Sequence, residues 1–400
     1  MTEQLKLKLN DSKATRWGAL VIVAFTMMAA YYVNDVVAPL KTMLETDLAW
    51  SSTDFGFFTG GYSFLNVFFL MLIWGGLILD RFGIRFTGKL ATILMVGGTA
   101  LEYYAMTGLA GADATLFGIN EIFGYKTGVF VAFAGYSIFG VGAEVAGITV
   151  SKIIAKWFKG KELATAMGVQ VALARIGSQA GYAVAIPLAR AFGISTPVLL
   201  GLVLLLGGMI AFFVFAVMDK KLDKQMEAAA IAAGTEDEEE KFSFKDVKNI
   251  LVNPGFWLIA LLCVLFYSCV FPFQKFASEL MIIKYGINEN VAGTFAGLPA
   301  LGALILTPVF GGFIDKRGKS ASIMLLGSAM LICVHFIYAI PDINYWLVAI
   351  VLMIILGIAF SLVPSAMWPA VAKIFPVSQL GTAYALIFFI QNIGLWGIPT

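Results

Sequence analysis

The chain has 400 residues, of which 60% are hydrophobic and 13% charged, and its mean hydropathy is +0.88. A soluble domain carries roughly 25% charged residues, so this composition excludes a soluble protein and indicates one that lies in a lipid bilayer. The net charge of +2 argues against a nucleic-acid partner. Cys263, Cys269 and Cys333 lie in apolar stretches, which argues against disulfides and against a thiolate metal site.

The apolar stretches predict an all-α membrane protein. A helix needs roughly 20 apolar residues to cross the hydrocarbon core of a bilayer. Eleven segments are long enough, and each is expected to be a transmembrane helix. In chain order they are residues 16–40, 53–79, 86–107, 127–151, 163–189, 196–218, 255–283, 292–314, 321–340, 345–372 and 381–400.

A short charged motif occurs twice between these segments. GLILDRFGIR, from Gly76 to Arg85, follows the second segment, and GGFIDKRGK, from Gly311 to Lys319, follows the eighth. Such a repeat predicts two homologous halves of six helices, the twelfth helix being missing from this chain. We expect the N-terminal half at 1–218, a polar cytoplasmic linker at 219–254 and the C-terminal half at 255–400. Within the linker, residues 242–252 are a candidate amphipathic helix on the membrane.

The repeated motif is also a candidate conformational latch. Gly76 would let its helix approach a neighbour closely, and Asp80 could pair with Arg81 or Arg85, or cap a helix of the other half. The alternative is that the motif only anchors the chain at the membrane surface through its positive charge. Cytoplasmic loops carry an excess of Lys and Arg, and the distribution of the 27 such residues predicts that the N-terminus, both motifs and the linker lie in the cytoplasm. Two copies at equivalent positions favour the latch. Its predicted members are Gly76, Asp80, Arg81, Arg85, Asp315 and Arg317.

Two charges lie deep inside neighbouring apolar segments. Glu144 in the fourth and Arg175 in the fifth segment are equally far from the turn between them, roughly 10 residues or about 15 Å from the surface. A structural ion pair between the two helices is one interpretation. The other, which we favour, is a clamp for a zwitterion: carboxylate for an ammonium group, guanidinium for a carboxylate.

Further polar and aromatic residues in apolar segments are candidates for the same binding site. Asp35, near Tyr31 in the first segment, is expected either to join the site or to meet water outside the membrane. Residues of the tenth and eleventh segments are candidate walls of the C-terminal half. The predicted site thus comprises Glu144, Arg175, Asp35, Tyr31, Trp368, Gln391 and Asn392.

Other residues are given structural roles. Lys275 and Glu279, one turn apart, are expected to form a surface pair. Glu102 is expected to be solvated near the outer surface, and His335 to be packed in the core. The glycines of the fifth segment are expected to be packing positions: Gly168, Gly177 and Gly181.

The sequence has no motif for catalysis. It contains no H-E-x-x-H, no P-loop, no cysteine–histidine cluster and no serine elbow. We therefore expect no enzyme, no catalytic residue, no metal and no cofactor.

The repeated motif resembles the loop signature of the major facilitator superfamily. Longer phrases resemble the branch that contains the lysosomal dipeptide uniporter of animals and its bacterial relatives. These phrases are WFKGKEL at 157–163, ARIGS at 174–178, FPF at 271–273, LVPSAMWP at 362–369 and LGTAY at 380–384. The resemblance implies an alternating-access transporter that moves dipeptides by facilitated diffusion. It also places Glu144 and Arg175 at that family's substrate-binding charges.

The loops and the N-terminus indicate where such a transporter would lie. No dileucine-type sorting signal occurs at the N-terminus, and the outer loops carry no Asn-x-Ser/Thr site. We therefore expect the protein to lie in a bacterial inner membrane, without a glycosylated accessory subunit. Its expected partners are a dipeptide substrate and the lipid bilayer. Two alternatives stay open: a proton-coupled symporter of organic anions or sugars, and a non-transporting membrane receptor or scaffold.

Overall fold

The computed structural model describes residues 8–111, 114–158, 161–233, 244–375 and 377–399. Within these ranges it contains fourteen α-helices and one short antiparallel strand pair, as the all-α prediction requires. The helices before residue 234 are α1 (Lys13–Val36), α2 (Lys41–Asp47), α3 (Ser52–Phe68), α4 (Met71–Ala105), α5 (Thr127–Trp157), α6 (Leu163–Phe192) and α7 (Thr196–Ala233). The strands β1 (Glu121–Ile122) and β2 (Tyr125–Lys126) form a hairpin before α5. The helices after residue 243 are α8 (Phe244–Leu251), α9 (Pro254–Ile283), α10 (Glu289–Ala296), α11 (Leu298–Arg317), α12 (Ser320–Ala339), α13 (Trp346–Ile374) and α14 (Val377–Gly397).

All eleven predicted segments are helical. Seven described segments are by themselves long and apolar enough to cross a membrane, and a bent pair of helices makes an eighth. The remaining three predicted segments lie in α4, α6 and α14. The first two carry charged residues such as Glu102 and Arg175, and the apolar part of α14, Ala383–Gly397, is short.

The second predicted segment is bent. The part in α3 and the part Met71–Leu79 of α4 meet at an angle of 59°, and Leu70 at the break has a φ of 54°. α4 then turns at Gly83, with φ 75° and ψ 173°, before it continues as the third segment. Glycine alone adopts this backbone conformation without strain. Gly83 is therefore the residue of the repeated motif that permits the turn.

Polar residues begin the helices where the chain enters the membrane. Ser51 precedes α3: its hydroxyl accepts a hydrogen bond from the Asp54 N–H at 3.0 Å, and its own N–H donates to the Asp54 carboxylate at 2.8 Å. Asn253 caps α9 by accepting from the Gly255 N–H at 2.8 Å, with Pro254 at the first helical position. These contacts satisfy N–H groups that have no partner within the helix.

Ion pairs fasten the N-terminal end of the chain to the turn between α5 and α6. Arg16 donates to both carboxylate oxygens of Glu162, at 3.0 and 2.7 Å, and Lys161 binds the Asp11 carboxylate at 2.8 Å. Hydrogen bonding to the Arg16 guanidinium lowers the pKa of Glu162, and that to Lys161 lowers the pKa of Asp11. The first transmembrane helix is thus anchored at its inner end.

Two large apolar clusters form the cores. One comprises buried residues between positions 19 and 222, and the other lies mainly between positions 250 and 387. Asp219, predicted to start the linker, is instead fully buried and accepts hydrogen bonds from Lys156 at 2.8 Å and from the Trp157 indole at 2.9 Å. α7 continues to Ala233, so the first residues of the predicted linker extend this helix. The predicted amphipathic helix matches α8 from residue 244; residues 234–243 lie outside the described residues.

The glycines of α6 do not share one role. A Cβ atom at Gly177 would lie 2.1 Å from the Met28 carbonyl oxygen of α1, and one at Gly181 would lie 2.9 Å from the Tyr32 carbonyl oxygen. Both are close-approach positions, as expected. Gly168 has no atom within 4 Å of such a Cβ, so its predicted packing role is wrong. Gly168 lies on a face of α6 that no neighbour contacts closely.

Replacing Gly177 by alanine should lower stability, whereas the same change at Gly168 should not. The first substitution forces α1 and α6 apart, which costs about 1–3 kcal/mol in a well-packed interior. The second adds only the helix propensity of alanine, about 1 kcal/mol in favour of the helix. The thermal denaturation midpoint of each purified variant measures the difference. Equal midpoints would contradict the close contact of the two helices.

Candidate substrate-binding site

A cavity of about 810 Å³ lies between the two halves. Its outer end is lined by Asp35 and Lys275. Its inner end is lined by Leu79, just before the turn of α4 at Gly83, and by Ser151 and Lys152 near the C-terminal end of α5. Ion pairs close the outer side, as described below. The cavity therefore faces the cytoplasm if the predicted orientation holds. Its volume lies in the range of about 300–1,000 Å³ that is typical of sites for small molecules.

Glu144 of α5 is held in the wall of this cavity by contacts from both halves. The Tyr62 hydroxyl of α3 donates to its carboxylate at 3.1 Å. The Asn392 side chain of α14 also hydrogen-bonds to it. Gln391, next to Asn392, lines the cavity. The carboxylate is thereby fixed by neutral donors, and no described cation pairs with it.

Arg175 of α6 lines the same cavity but is held differently. Its guanidinium carbon lies 5.3 Å from the centre of the Tyr31 ring and 5.0 Å from that of Phe360. Among the described residues no ion pair joins Arg175 to Glu144. The direct structural pair is therefore not formed in this conformation. The two opposite charges line the same cavity.

The predicted surface pair of Lys275 and Glu279 is wrong, because both residues lie on the face of α9 that packs against the N-terminal half. The Lys275 ammonium contacts the Asp35 carboxylate at 3.3 Å, the Tyr136 hydroxyl at 3.1 Å and the Asn34 carbonyl oxygen. Asp35 is 8% exposed and thus joins the outer end of the site.

Glu279 belongs to a second contact at the outer side, which we call the outer lock: Lys41, Glu45, Ser52 and Glu279. The Lys41 ammonium lies 2.5 Å from Glu279, 2.6 Å from Glu45 and 2.7 Å from the Ser52 hydroxyl. Only 1% of the Lys41 side chain is exposed. A third inter-half ion pair, Arg190 with Glu289, is solvent-exposed. These contacts fasten the halves together outside the cavity.

The expectation that Glu102 is solvated is also wrong. The residue is fully buried, and neither carboxylate oxygen has a hydrogen-bond partner among the residues that the structure describes. The reason is the close contact of α4 with α5: a Cβ atom at Gly135 would lie 2.9 Å from the Glu102 main-chain nitrogen.

His335 is half-buried, as a packed histidine would be. Its ring lies 4.9 Å from that of Phe273, and its two nitrogens lie near the carbonyl oxygens of Leu331 and Cys269.

The prediction that Gly76 lets its helix approach a neighbour closely is wrong. A Cβ atom at Gly76 would meet nothing within 4 Å, because this residue faces the central cavity, whereas one at Gly75 would lie 2.5 Å from Val145 of α5. Gly75 is therefore the close-approach glycine. Arg85 binds Asp223 of α7 at 2.6 Å and Asp219 at 3.5 Å.

The other motif arginines pack on neighbouring rings. Arg81 lies 5.6 Å from the Phe82 ring, and Arg317 lies 5.1 Å from the Phe313 ring. The side chains of Asp80 and Asp315 lie outside the described residues. A latch between the halves stays a prediction.

Sequence analysis missed several residues that line the cavity. Tyr62 and Tyr136 carry hydroxyls that bind Glu144 and Lys275, and their position inside apolar segments was the available signal. The C-terminal half contributes a row of aromatic residues of which only Trp368 was predicted. The residues of this row that were missed are Tyr267, Phe271, Phe360, Tyr384 and Phe388.

Comparison with known proteins identifies the family. The model of the Major Facilitator Superfamily matches residues 20–397. The chain belongs to the major facilitator superfamily. It is therefore a multi-pass membrane transporter, which confirms the resemblance to this superfamily drawn from the sequence.

Within the superfamily, curated relatives match between 65% and 96% of the chain. The lysosomal dipeptide transporter MFSD1 of Homo sapiens is 29% identical over 396 residues, covering 96% of this chain and 78% of the relative. That of Danio rerio is 28% identical, covering 94% and 77%. That of Gallus gallus is 33% identical over 274 residues, covering 65% and 59%.

Solved structures show the same fold at lower identity. The peptide transporter POT in complex with sulfate superposes with a TM-score of 0.69 at 15% identity, covering 95% of this chain and 86% of that one. The D-xylose-proton symporter gives 0.64 at 16% identity, covering 96% and 88%. An inward-facing bacterial homolog of the human lysosomal transporter Spinster gives 0.65 at 16% identity, covering 97% and 82%.

Proposed function

We propose that this transporter carries dipeptides or similar small zwitterions by alternating access and facilitated diffusion. The observation that carries the proposal is that Glu144 and Arg175 line one cavity without forming an ion pair with one another or with any other described residue. Each charge is held by neutral neighbours, Tyr62 and Asn392 for the first, Tyr31 and Phe360 for the second. Each is thus oriented without a counter-ion of its own, and a bound zwitterion supplies both.

The chemistry of the clamp suits the two ends of a short peptide. A carboxylate accepts the hydrogen bonds of an α-ammonium group, and a guanidinium donates two parallel bonds to a terminal carboxylate. The names of the curated relatives support the same substrate class. We further propose a bacterial inner membrane as the location, on the ground of the sequence features given above.

A proton-coupled symporter is the second candidate function. The observation that favours it is Glu102, a fully buried carboxyl group whose oxygens have no hydrogen-bond partner in the described part of the chain. Burial without a partner disfavours the charged form of such a group, so a proton could bind there. It lies outside the residues that line the cavity, so it does not by itself suggest another substrate.

Uptake into proteoliposomes separates the two candidates. We expect saturable uptake of a labelled dipeptide that unlabelled dipeptide inside the vesicles accelerates and that an imposed proton gradient leaves within about twofold. Uptake that requires an inward proton gradient would instead establish the symporter. Thermal stabilisation by sugars or dicarboxylates but by no dipeptide would overturn the substrate class, because a bound ligand raises stability by mass action.

A further inference from the structure

The C-terminal side of the cavity presents a continuous row of rings, which we call the aromatic wall: Tyr267, Phe271, Trp368, Tyr384 and Phe388. Trp368 stacks on Phe388, with ring centres 4.9 Å apart, and Tyr267 stacks on Phe271 at 5.3 Å. The Trp368 and Tyr267 rings, 6.5 Å apart, join the two stacks. The five residues come from α9, α13 and α14.

Hydrogen bonds within the aromatic wall fix its rings. The Trp368 indole N–H donates to the Tyr267 hydroxyl at 3.3 Å, and the Tyr384 hydroxyl donates to the Trp368 carbonyl oxygen at 3.0 Å. The Trp368 indole and the Tyr384 hydroxyl thus each donate within the aromatic wall, and the Tyr267 hydroxyl accepts. What the wall offers to a bound molecule is its ring faces and edges, which bind apolar and aromatic groups.

The two ends of the aromatic wall lie beside different charges. At one end, Asn392 donates to the Phe388 carbonyl oxygen at 2.9 Å and also hydrogen-bonds to Glu144. At the other end, Phe271 contacts the Phe360 ring at 5.6 Å, and the Arg175 guanidinium lies 5.0 Å from that ring. Phe388 thus lies one helical turn from the Asn392 that binds Glu144, whereas Tyr267 and Phe271 both contact the Phe360 ring on which Arg175 packs.

We propose that the aromatic wall reads the two side chains of a dipeptide separately, according to their position in the peptide. This inference rests on the proposed function, in which Glu144 holds the ammonium group and Arg175 the carboxylate. The two Cα atoms of a dipeptide lie about 3.8 Å apart across a trans peptide bond. Because successive side chains of an extended backbone point to opposite faces, the bound peptide must be rotated about φ and ψ so that both side chains face the wall and leave the backbone near different ends of it. The side chain of the first residue meets Phe388 and Trp368, and that of the second meets Phe271.

The sequence isomers Phe-Ala and Ala-Phe test this assignment, with Ala-Ala as the reference. They have the same composition and the same termini, so they differ only in which end of the wall the phenyl ring reaches. Phe388→Leu should weaken binding of Phe-Ala roughly three- to tenfold, the loss of one aromatic contact. It should leave Ala-Phe and Ala-Ala within about twofold. Phe271→Leu should do the opposite.

The chain supplies a matched control for each variant. Phe273 lies two residues from Phe271 but lines a separate cavity together with His335. Phe389 follows Phe388 in α14 but is not among the residues that line the central cavity. Phe273→Leu and Phe389→Leu should leave the ratio of the two affinities unchanged. Thermal denaturation of each variant monitors its folding.

Binding of the three dipeptides to each purified variant, measured by calorimetric titration, decides the matter. Equal losses for Phe-Ala and Ala-Phe in both variants, or none, would overturn the positional assignment while leaving dipeptide binding intact. The reversed pattern would overturn the proposed direction of the peptide along the wall. If the wild-type protein bound no dipeptide, the proposed function itself would fail.

Discussion

Arg175→Ala should weaken dipeptide binding roughly 100-fold or more, while the purified protein stays monodisperse. Loss of one partner of a buried, hydrogen-bonded charge pair costs about 2–5 kcal/mol, and here the lost pair is the one with the substrate carboxylate. Folding should survive because Arg175 packs on the rings of Tyr31 and Phe360 and neutralises no neighbouring carboxylate. Calorimetric titration and size-exclusion chromatography measure the two effects.

Conservative variants of the clamp separate charge from geometry. Arg175→Lys keeps the positive charge but loses the planar pair of donors, so it should weaken binding by roughly tenfold, less than alanine does. Glu144→Gln should weaken binding of free dipeptides but scarcely that of N-acetylated ones, because these already lack the ammonium group. Tyr62 can still donate its hydrogen bond to the glutamine, which limits the effect on stability.

A double variant distinguishes the clamp from a structural role of the two charges. If Glu144 and Arg175 serve only to balance one another across the cavity, single variants should aggregate and the double variant Glu144→Gln/Arg175→Gln should recover stability. Recovered dipeptide transport in this double variant would reject the clamp. Under the clamp the double variant should fold and transport nothing.

The second large effect is expected at the outer lock. Glu279→Gln should shift the equilibrium between conformations toward the outward-facing one by roughly five- to thirtyfold. The change removes an ion pair whose lysine is almost fully buried, and Lys41 keeps Glu45, so about 1–2 kcal/mol should be lost. Spin labels at Thr46 and Ile283, exposed residues at the outer ends of the two halves, should show a new population at longer distance.

The exposed inter-half pair provides the control for this experiment. Arg190 and Glu289 also join the halves at the outer side, but their side chains are 42% and 43% exposed. An exposed pair of this kind contributes about 0–1 kcal/mol, so Glu289→Gln should leave the distance distribution nearly unchanged. Equal shifts for both variants would show that burial does not give the outer lock its strength.

The sequence by itself determined the helices and the superfamily. Long apolar segments form helices because a bilayer offers the backbone no other hydrogen-bond partners. The repeated motif predicted a break between two helices, and α4 turns there at Gly83, whose positive φ is a backbone conformation that favours glycine. Glu144 and Arg175 are equally far along the sequence from the turn between their helices, and a helix rises by a constant distance per residue. This count predicted that the two residues lie at the same level, and both line one cavity.

Only the tertiary structure decided which way each side chain faces and what it meets there. Sequence distance pairs Glu279 with Lys275, but the rotation of α9 turns both toward the N-terminal half, where Lys41 and Asp35 bind them. Gly75 and Gly76 are a second example, because Gly75 contacts α5 whereas the adjacent Gly76 lines the cavity. In an apolar helix nearly every face is hydrophobic, so the pattern of residues does not reveal the rotation about the axis. Packing against neighbouring helices sets that rotation, and with it the burial of Glu102 and the partners of the lock.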